Sequence, residues 1–450
     1  EQADAFAGTT DEEGEACEDV ETLRNWVFKA IALLDDLNEF DIRAINFSAY
    51  GASFVHVGDD GVPVAPLYNY LKPFPDGLRK KFYDSYGGEV TFSMLTASPV
   101  LGSLNSGMQL YRIKEQQPEL FAQIKYSLHL PQYLSFLCAG VACSDITSIG
   151  CHTNLWNFSQ QHYHEWVYRE GIIDKLAPVL PSTSVLPFEQ PVGTILSRIP
   201  IAGIGLHDSS AAIIPYLQSF REPFILISTG TWCISMNPFN DSPLTVAELQ
   251  KDCLCYLSYQ GRPVKASRLF AGYEHEQQVK RMAAHFHTDA AVATTLPFDP
   301  ECAALLRKSD GRKSDGRPSQ RGASGPTEKG AGGPASATVV ASAFGRRDLN
   351  AFDSFPQAYH CLMMDIMDQQ IASTRLIMQD RGVPVNRIFV DGGFGKNQVY
   401  MHLLAAAFPE MEVFAASMPQ ATAIGAALAI HPHWNTRSLP GDIIELKYYI

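Results

Sequence analysis

Apolar residues near the start of the chain recur at two different spacings. Leu23, Trp26, Val27, Ile31 and Leu34 return every three or four positions, the period of a helix with one buried face. Residues 42–48 and Phe54–Val57 read instead as strands, and Gly58-Asp59-Asp60-Gly61 as a hairpin turn leading into 62–67. Helix followed by strands is an α/β pattern. Residues 1–20 are polar and acidic and read as a loop, residues 106–160 as a mostly helical stretch centred on LPQYLSFLCAG, and 161–200 as irregular and Pro-rich towards the end.

The pattern changes at about 201. IAGIGLHDSSAAIIPYL reads as a turn opening a helix, and FILISTGTWCISM as strand–turn–strand. From about 355 a helix carries Leu362, Met363, Ile366, Met367, Ile371 and Ile377 on one face. It leads to a strand at 387–390, the turn Asp391-Gly392-Gly393, and a small-residue helix at 421–430. We therefore expect two domains, 1–200 and 201–450. Residues 307–337 stand apart, rich in Gly, Ser, Pro and Arg, with KSDGR at 308–312 repeated at 313–317. Almost nothing in them can enter a core, so a mobile, solvated loop is expected, with a phosphate-attracting basic patch as the other reading.

Composition narrows the function. A chain of 450 residues, 46% hydrophobic, can build two cores, since single cores stop growing at roughly 250–300 residues. The formal net charge of −13 argues against nucleic-acid or anionic-membrane partners. It leaves room for an anionic ligand held by backbone N–H groups. The nine cysteines are odd in number and lack CxxC spacing, so reduced thiols of a cytoplasmic protein are expected, without a zinc site. No run approaches the roughly 20 apolar residues of a membrane helix, and no signal-peptide pattern opens the chain.

Four short constellations could carry chemistry. In Gly205-Leu206-His207-Asp208-Ser209-Ser210, Asp208 falls at a helix start, where the positive dipole end favours a carboxylate able to accept a hydroxyl proton. The plainer reading is a helix cap beside a packed His207. Ile227-Ser228-Thr229-Gly230-Thr231-Trp232 ends a strand in small hydroxyl residues that can aim donors at phosphate, or is an ordinary hairpin turn. Asp391-Gly392-Gly393-Phe394-Gly395-Lys396-Asn397 has the glycines for close approach, yet fits neither a Walker A loop nor G-x-G-x-x-G. Ala423-Ile424-Gly425-Ala426-Ala427 reads as a tightly packed helix or as a nucleotide contact.

Taken in order, these motifs resemble the FGGY carbohydrate kinases. The resemblance runs from INFSAYG (45–51) through LPQYLSFLCAGVACSDITSIGCHTNLWNF, which is similar to the family's LPxYLxxxLTG…T(D/E)xT stretch, to the AIGAALA helix. HDSSAA and ISTGTW look most like the HDTASA and ISSGTW of the rhamnulose and fuculose kinase branch, which phosphorylates 6-deoxy ketohexoses. The resemblance implies an α/β, two-domain actin-like (ribonuclease H-like) fold with a cleft between the domains. It implies phosphoryl transfer from ATP with Mg²⁺ to a sugar, the magnesium held largely by phosphates and water. On it, Asp208 is the catalytic base. Gly51, His207 and Ser209 contact the sugar. Gly230, Thr231 and Gln277 lie on the phosphate side, and Gly392, Gly393, Asn397 and Gly425 on the adenosine side. The expected partner is a small sugar, and a second copy of the chain is left open.

Two features depart from that pattern. The family opens with a strand carrying D-x-G-T-(T/S), and Ala7-Gly8-Thr9-Thr10 lacks its aspartate and flanking apolar strands. The expectation is a chain that begins after this hairpin and phosphorylates weakly, or a non-catalytic sugar- or nucleotide-binding protein of the same fold. Second, Leu71 and Lys72 follow Tyr70 where relatives commonly place an acidic residue. That leaves other sugars or polyols, such as xylulose or glycerol, as alternative substrates.

Overall fold

The structure is a computed structural model that describes residues 8–36, 39–189, 199–309, 343–378, 384–418, 420–439 and 441–450. The proposed loop at 307–337 lies outside these residues except for 307–309, which close the helix Pro300–Ser309 where a loop was expected.

The acidic start is more ordered than its composition predicts. Thr9–Thr10 pairs with Ala16–Glu18, which pairs with Leu67–Tyr68. Asp11 closes the turn between them, accepting from the backbone N–H groups of Glu13 and Glu15. Helix α1 (Val20–Asp36) follows, its first turn held by Asp19, which accepts from the N–H groups of Glu21 and Thr22.

Residues 42–48 form less strand than the apolar run predicts. Only β1 (Ser48–Ala49) and a bridge from Ile45 to Ala202 appear. The reason is Asn46, whose side-chain oxygen takes the N–H groups of Phe47 and Gly205 and so replaces ladder bonds. Strand β2 (Phe54–Val57) forms as expected and pairs antiparallel with β3 (Tyr126–His129), a strand inside the stretch read as helical. Phe54 faces one apolar cluster, while Val55 and Val57 face another. Helix α2 (Leu130–Ala139) and the short α3 (Ile146–Ile149) lie between β3 and the next strands, β4 (Ile201–Gly203) and β5 (Leu206–His207). β5 opens the short helix α4 (Asp208–Ala212) and runs parallel to β1.

The rest of the chain is built on a seven-stranded sheet. Its strands are β6 (Phe224–Thr229), β7 (Cys233–Asn237), β8 (Cys253–Leu257), β9 (Pro263–Leu269), β10 (Arg387–Gly392), β11 (Glu412–Ser417) and β12 (Glu445–Tyr449). They lie in the order β8-β9-β7-β6-β10-β11-β12, with β6, β10 and β11 mutually parallel. Between β9 and β10 come α5 (Ala271–His285) and the long α6 (Phe355–Ile377). Helices α7 (Gln398–Ala407) and α8 (Ala421–Ala429) flank β11. Alternation along β6 and β10 buries both faces. Ile225, Ile227, Ile388 and Val390 pack with Leu362, Met363 and Ile366 of α6, while Phe224, Leu226 and Phe389 pack with Tyr216 on the other side.

Phe389 is fully buried, its ring 4.6 Å from Phe220 and 5.5 Å from both Tyr216 and Phe224. Phe389→Ala should therefore lower the stability of this sheet by about 3–5 kcal/mol, read as a shift of the urea midpoint. Phe389→Leu should cost less than about half of that, and equal losses would show that ring packing is not the source.

Candidate active site

The parallel strands β1 and β5 end together, with His207 level with Ala49. The chain leaves both at their carboxyl ends, where open α/β sheets place ligands. Asp208 is the first residue of α4, and His207, not Asp208, holds the cap position; no side chain caps this helix. The cap reading of Asp208 therefore fails, and its carboxylate is left for other work. Its side chain is 41% exposed, against 4% for His207. Oδ1 accepts from the N–H of Ser209 at 2.6 Å and stands 3.1 Å from Nε2 of His207. The Ser209 hydroxyl lies 3.3 Å from the same oxygen. Among the described residues no donor meets Oδ2.

Gly51 faces this pair. A Cβ there would lie 3.1 Å from Cδ2 of His207 and 3.0 Å from Sγ of Cys151, so glycine keeps a narrow gap open. Behind His207 stand the rings of Tyr256, at 5.3 Å, and His152, at 6.2 Å. Burial pushes the Tyr256 hydroxyl and the Cys151 thiol well up and His152 well down, and lowers His129 to about 3. All four are neutral near pH 7. Burial also lowers His207, with the charge of Asp208 acting in the opposite sense. The backbone N–H of His207 donates to the hydroxyl of Thr147, which is itself bonded to the wholly buried Asp145. The D-x-T part of the family-like stretch thus fixes the height of His207.

A second group of segments meets at the end of β6. Thr229 joins two turns: its hydroxyl donates to the carbonyl of Asp391 at 2.5 Å and accepts from the N–H of Phe394, while its carbonyl accepts from Gly393. Gly392 has φ +86°, and a Cβ there would lie 1.9 Å from the Thr229 carbonyl oxygen. Its freedom serves the approach of backbone to backbone. Gly230 and Gly393, by contrast, have nothing within 4 Å on their Cβ side. The N–H of Gly230 is used within the turn, by Trp232, and Thr231 is exposed. Gly425 of α8 lies against α4, where a Cβ would be 1.9 Å from the Ala211 carbonyl oxygen. The amide of Asn46 donates to the carbonyl of Ala426.

Residues 221–333 match the family model described as carbohydrate kinase FGGY, C-terminal domain, and residues 341–430 match that of the FGGY family of carbohydrate kinases, C-terminal domain. The second half of the chain thus carries the C-terminal domain of the FGGY carbohydrate kinases. A rhamnulokinase from Mannheimia succiniciproducens is 25% identical over 224 residues, 49% of this chain and 44% of that protein, so the chain spans less than half the length of this curated relative in the match. A solved carbohydrate kinase from Novosphingobium aromaticivorans has a TM-score of 0.73 at 21% identity, covering 98% of this chain and 89% of that one. A ligand-bound xylulose kinase from Lactobacillus acidophilus has 0.71 at 16%, covering 99% and 87%. These likenesses show the two-domain, actin-like α/β fold.

Within the FGGY fold the expected residues divide into three sets. Gly51, His207, Asp208 and Ser209 come together, and Gly230, Thr231, Gly392 and Gly393 meet at the joined turns. Gly425 lies against the first group through Ala211 of α4. Asn397 caps α7, accepting from Tyr400, and donates to the Tyr359 hydroxyl at 2.6 Å. Gln277 is exposed on α5. Two residues escaped the sequence reading. Asn46 carried no signal beyond a polar residue in an apolar strand, whereas Thr229, read with its neighbours as a possible phosphate donor, joins the two turns. Gly272 had a signal, the glycine of LFAGYE, where a Cβ would lie 1.8 Å from the Gly230 carbonyl oxygen.

These contacts make a test. Gly425→Ala and Gly272→Ala should each lower stability by about 1–3 kcal/mol in thermal unfolding. Gly441→Ala, where a Cβ meets nothing within 4 Å, should not. Unchanged melting of the first two would show that the segments can part freely.

Proposed function

We propose that this protein phosphorylates a sugar hydroxyl with ATP, and that the sugar is a 6-deoxy ketohexose such as L-rhamnulose or L-fuculose. The observation that carries the reading is Asp208: a half-exposed carboxylate with Oδ1 tied to protein and Oδ2 free, set at the strand ends among neutral groups. Oδ2 takes the hydroxyl proton as the sugar oxygen attacks the γ-phosphorus and ADP leaves with the former bridging oxygen. Gly230 and Thr231 line the side assigned to phosphates, Gln277 lies on the nucleotide side, and Gly392, Gly393, Asn397 and Gly425 shape the adenosine side. Among the described residues no three His, Cys, Asp or Glu side chains could hold a metal. The magnesium would bind with ATP through phosphate and water and neutralise phosphate charge.

The rhamnulokinase match supports the deoxy sugar, and so does the wall beside Gly51. Lys72 turns away, its ammonium 2.5 Å from the buried Asp11. Tyr70 instead packs edge-on against Tyr50 at 5.6 Å. Aromatic rings offer C–H contact to a methyl-bearing sugar where a carboxylate would seek hydroxyls. The xylulose kinase likeness keeps a second substrate, D-xylulose, as the competing reading.

Sugar-dependent ADP release by the full-length protein with Mg·ATP should be largest with L-rhamnulose or L-fuculose among those two, D-xylulose and glycerol. Preference for D-xylulose would replace the deoxy sugar. No release with any, while a sugar still binds, would make this a binding protein. Asp208→Asn should cut turnover about 10²–10⁴-fold and leave sugar affinity nearly intact. Near-normal turnover would remove Asp208 from the role of base.

A further inference from the structure

Ser210 sits behind the proposed base, buried and used by nothing described so far. Its hydroxyl has two neighbours: the carbonyl oxygen of Leu257 at 3.0 Å and Nδ1 of His207 at 3.3 Å. A hydroxyl has one proton to give. Leu257 belongs to β8, the edge strand of the sheet. Two residues earlier the N–H of Cys255 bonds Ala97 and not β9, so this side of β8 faces away from the ladder, and the backbone of Leu257 faces the same way. The Leu257 carbonyl is buried there, and the donor it meets is Ser210. With its proton spent on Leu257, Ser210 can only accept from Nδ1 of His207. Nδ1 therefore carries the hydrogen.

The consequence falls on the other ring nitrogen. In a neutral imidazole with Nδ1–H, Nε2 presents a lone pair, and it stands 3.1 Å from Oδ1 of Asp208. Two acceptors at that distance repel unless a proton lies between them. We propose that Ser210 is a positioning residue that fixes His207 as its Nδ1–H tautomer, so that His207 Nε2 and Asp208 Oδ1 hold one proton between them and titrate as a single base. In the HDTASA motif the matching position is alanine, so the device belongs to this chain.

The surroundings leave that proton no other home. Around His207 stand Cys151 and His152 from the turn after α3, His129 from the end of β3, and Tyr256 from β8, all neutral near pH 7. Arg268 beyond Tyr256 is paired with Asp252 at 2.7 Å. Asp208 is the only charge against the ring among the described residues. Burial favours an uncharged ring and the carboxylate favours a charged one, and a shared proton meets both demands.

The sign of the pH effect follows. Losing the shared proton leaves opposed lone pairs 3.1 Å apart, which disfavours that loss. While it is held, the adjacent positive charge weakens Oδ2 as a base. Without Ser210 the ring can move its hydrogen to Nε2 and donate to Oδ1, and the deprotonated pair becomes comfortable. Ser210→Ala should therefore move the acid limb of kcat/KM down by about one pH unit, and Ser210→Thr should restore it. An unmoved or raised limb in Ser210→Ala would overturn the proposal. This kinetic arm rests on Asp208 being the base, so a second readout needs no substrate. Nitrogen-15 resonances of the His207 ring in the wild-type protein, assigned by their loss in His207→Asn, should show Nδ1 protonated near neutral pH. A bare Nδ1 with a protonated Nε2 would refute the tautomer whatever the protein phosphorylates.

Discussion

Backbone lies directly on backbone at the joints of this site, and a single Cβ at any joint would part the segments. Gly425 meets Ala211, Gly392 meets Thr229 and Gly272 meets Gly230, each with less than 2 Å between the missing Cβ and a carbonyl oxygen. The polar bonds of the site depend on those approaches. Thr229 can bond both the Asp391 carbonyl and the Phe394 N–H only because Gly392 lets the two turns touch. α8 can cover α4 only because residue 425 has no side chain. A glycine costs backbone entropy in the unfolded chain, and here that cost is offset by geometry that no larger residue permits.

The second constraint is electrical. Asp208 is half exposed, yet everything packed behind it has been made neutral by burial: His129, His152, Tyr256 and Cys151. His207 is the exception, because it is buried and touches the carboxylate at once. Its behaviour is set by hydrogen bonds, through Thr147 on its backbone and Ser210 on its ring.

Much of this could be read from the sequence, for physical reasons that differ by region. The strands Phe54–Val57 and Phe224–Thr229 and the helix Phe355–Ile377 show plain periodicity, and they form where expected. The Asp208, Thr231 and Gly393 segments were found by motif. Periodicity failed where side chains replace backbone partners. Asn46 breaks the strand at 42–48, and Asp11 closes a turn in a stretch that composition reads as loop. Asn397 has a structural role that its motif did not announce: its side chain caps α7 and donates to Tyr359.

Lys72 shows why pattern alone stops short of the sugar. With Leu71 it follows Tyr70 where relatives commonly place an acidic residue, which in sequence looks like a reversal of charge. In the fold its side chain is 6% exposed and that of Asp11 only 1%. Two such charges go under cover only as a pair, since either alone would face the full loss of hydration. The ammonium therefore meets an aspartate 61 residues earlier. Tyr50 and Tyr70, uncharged and aromatic, pack edge-on against each other. The charge of Lys72 is thus spent on Asp11, and only the partner's position in space reveals it.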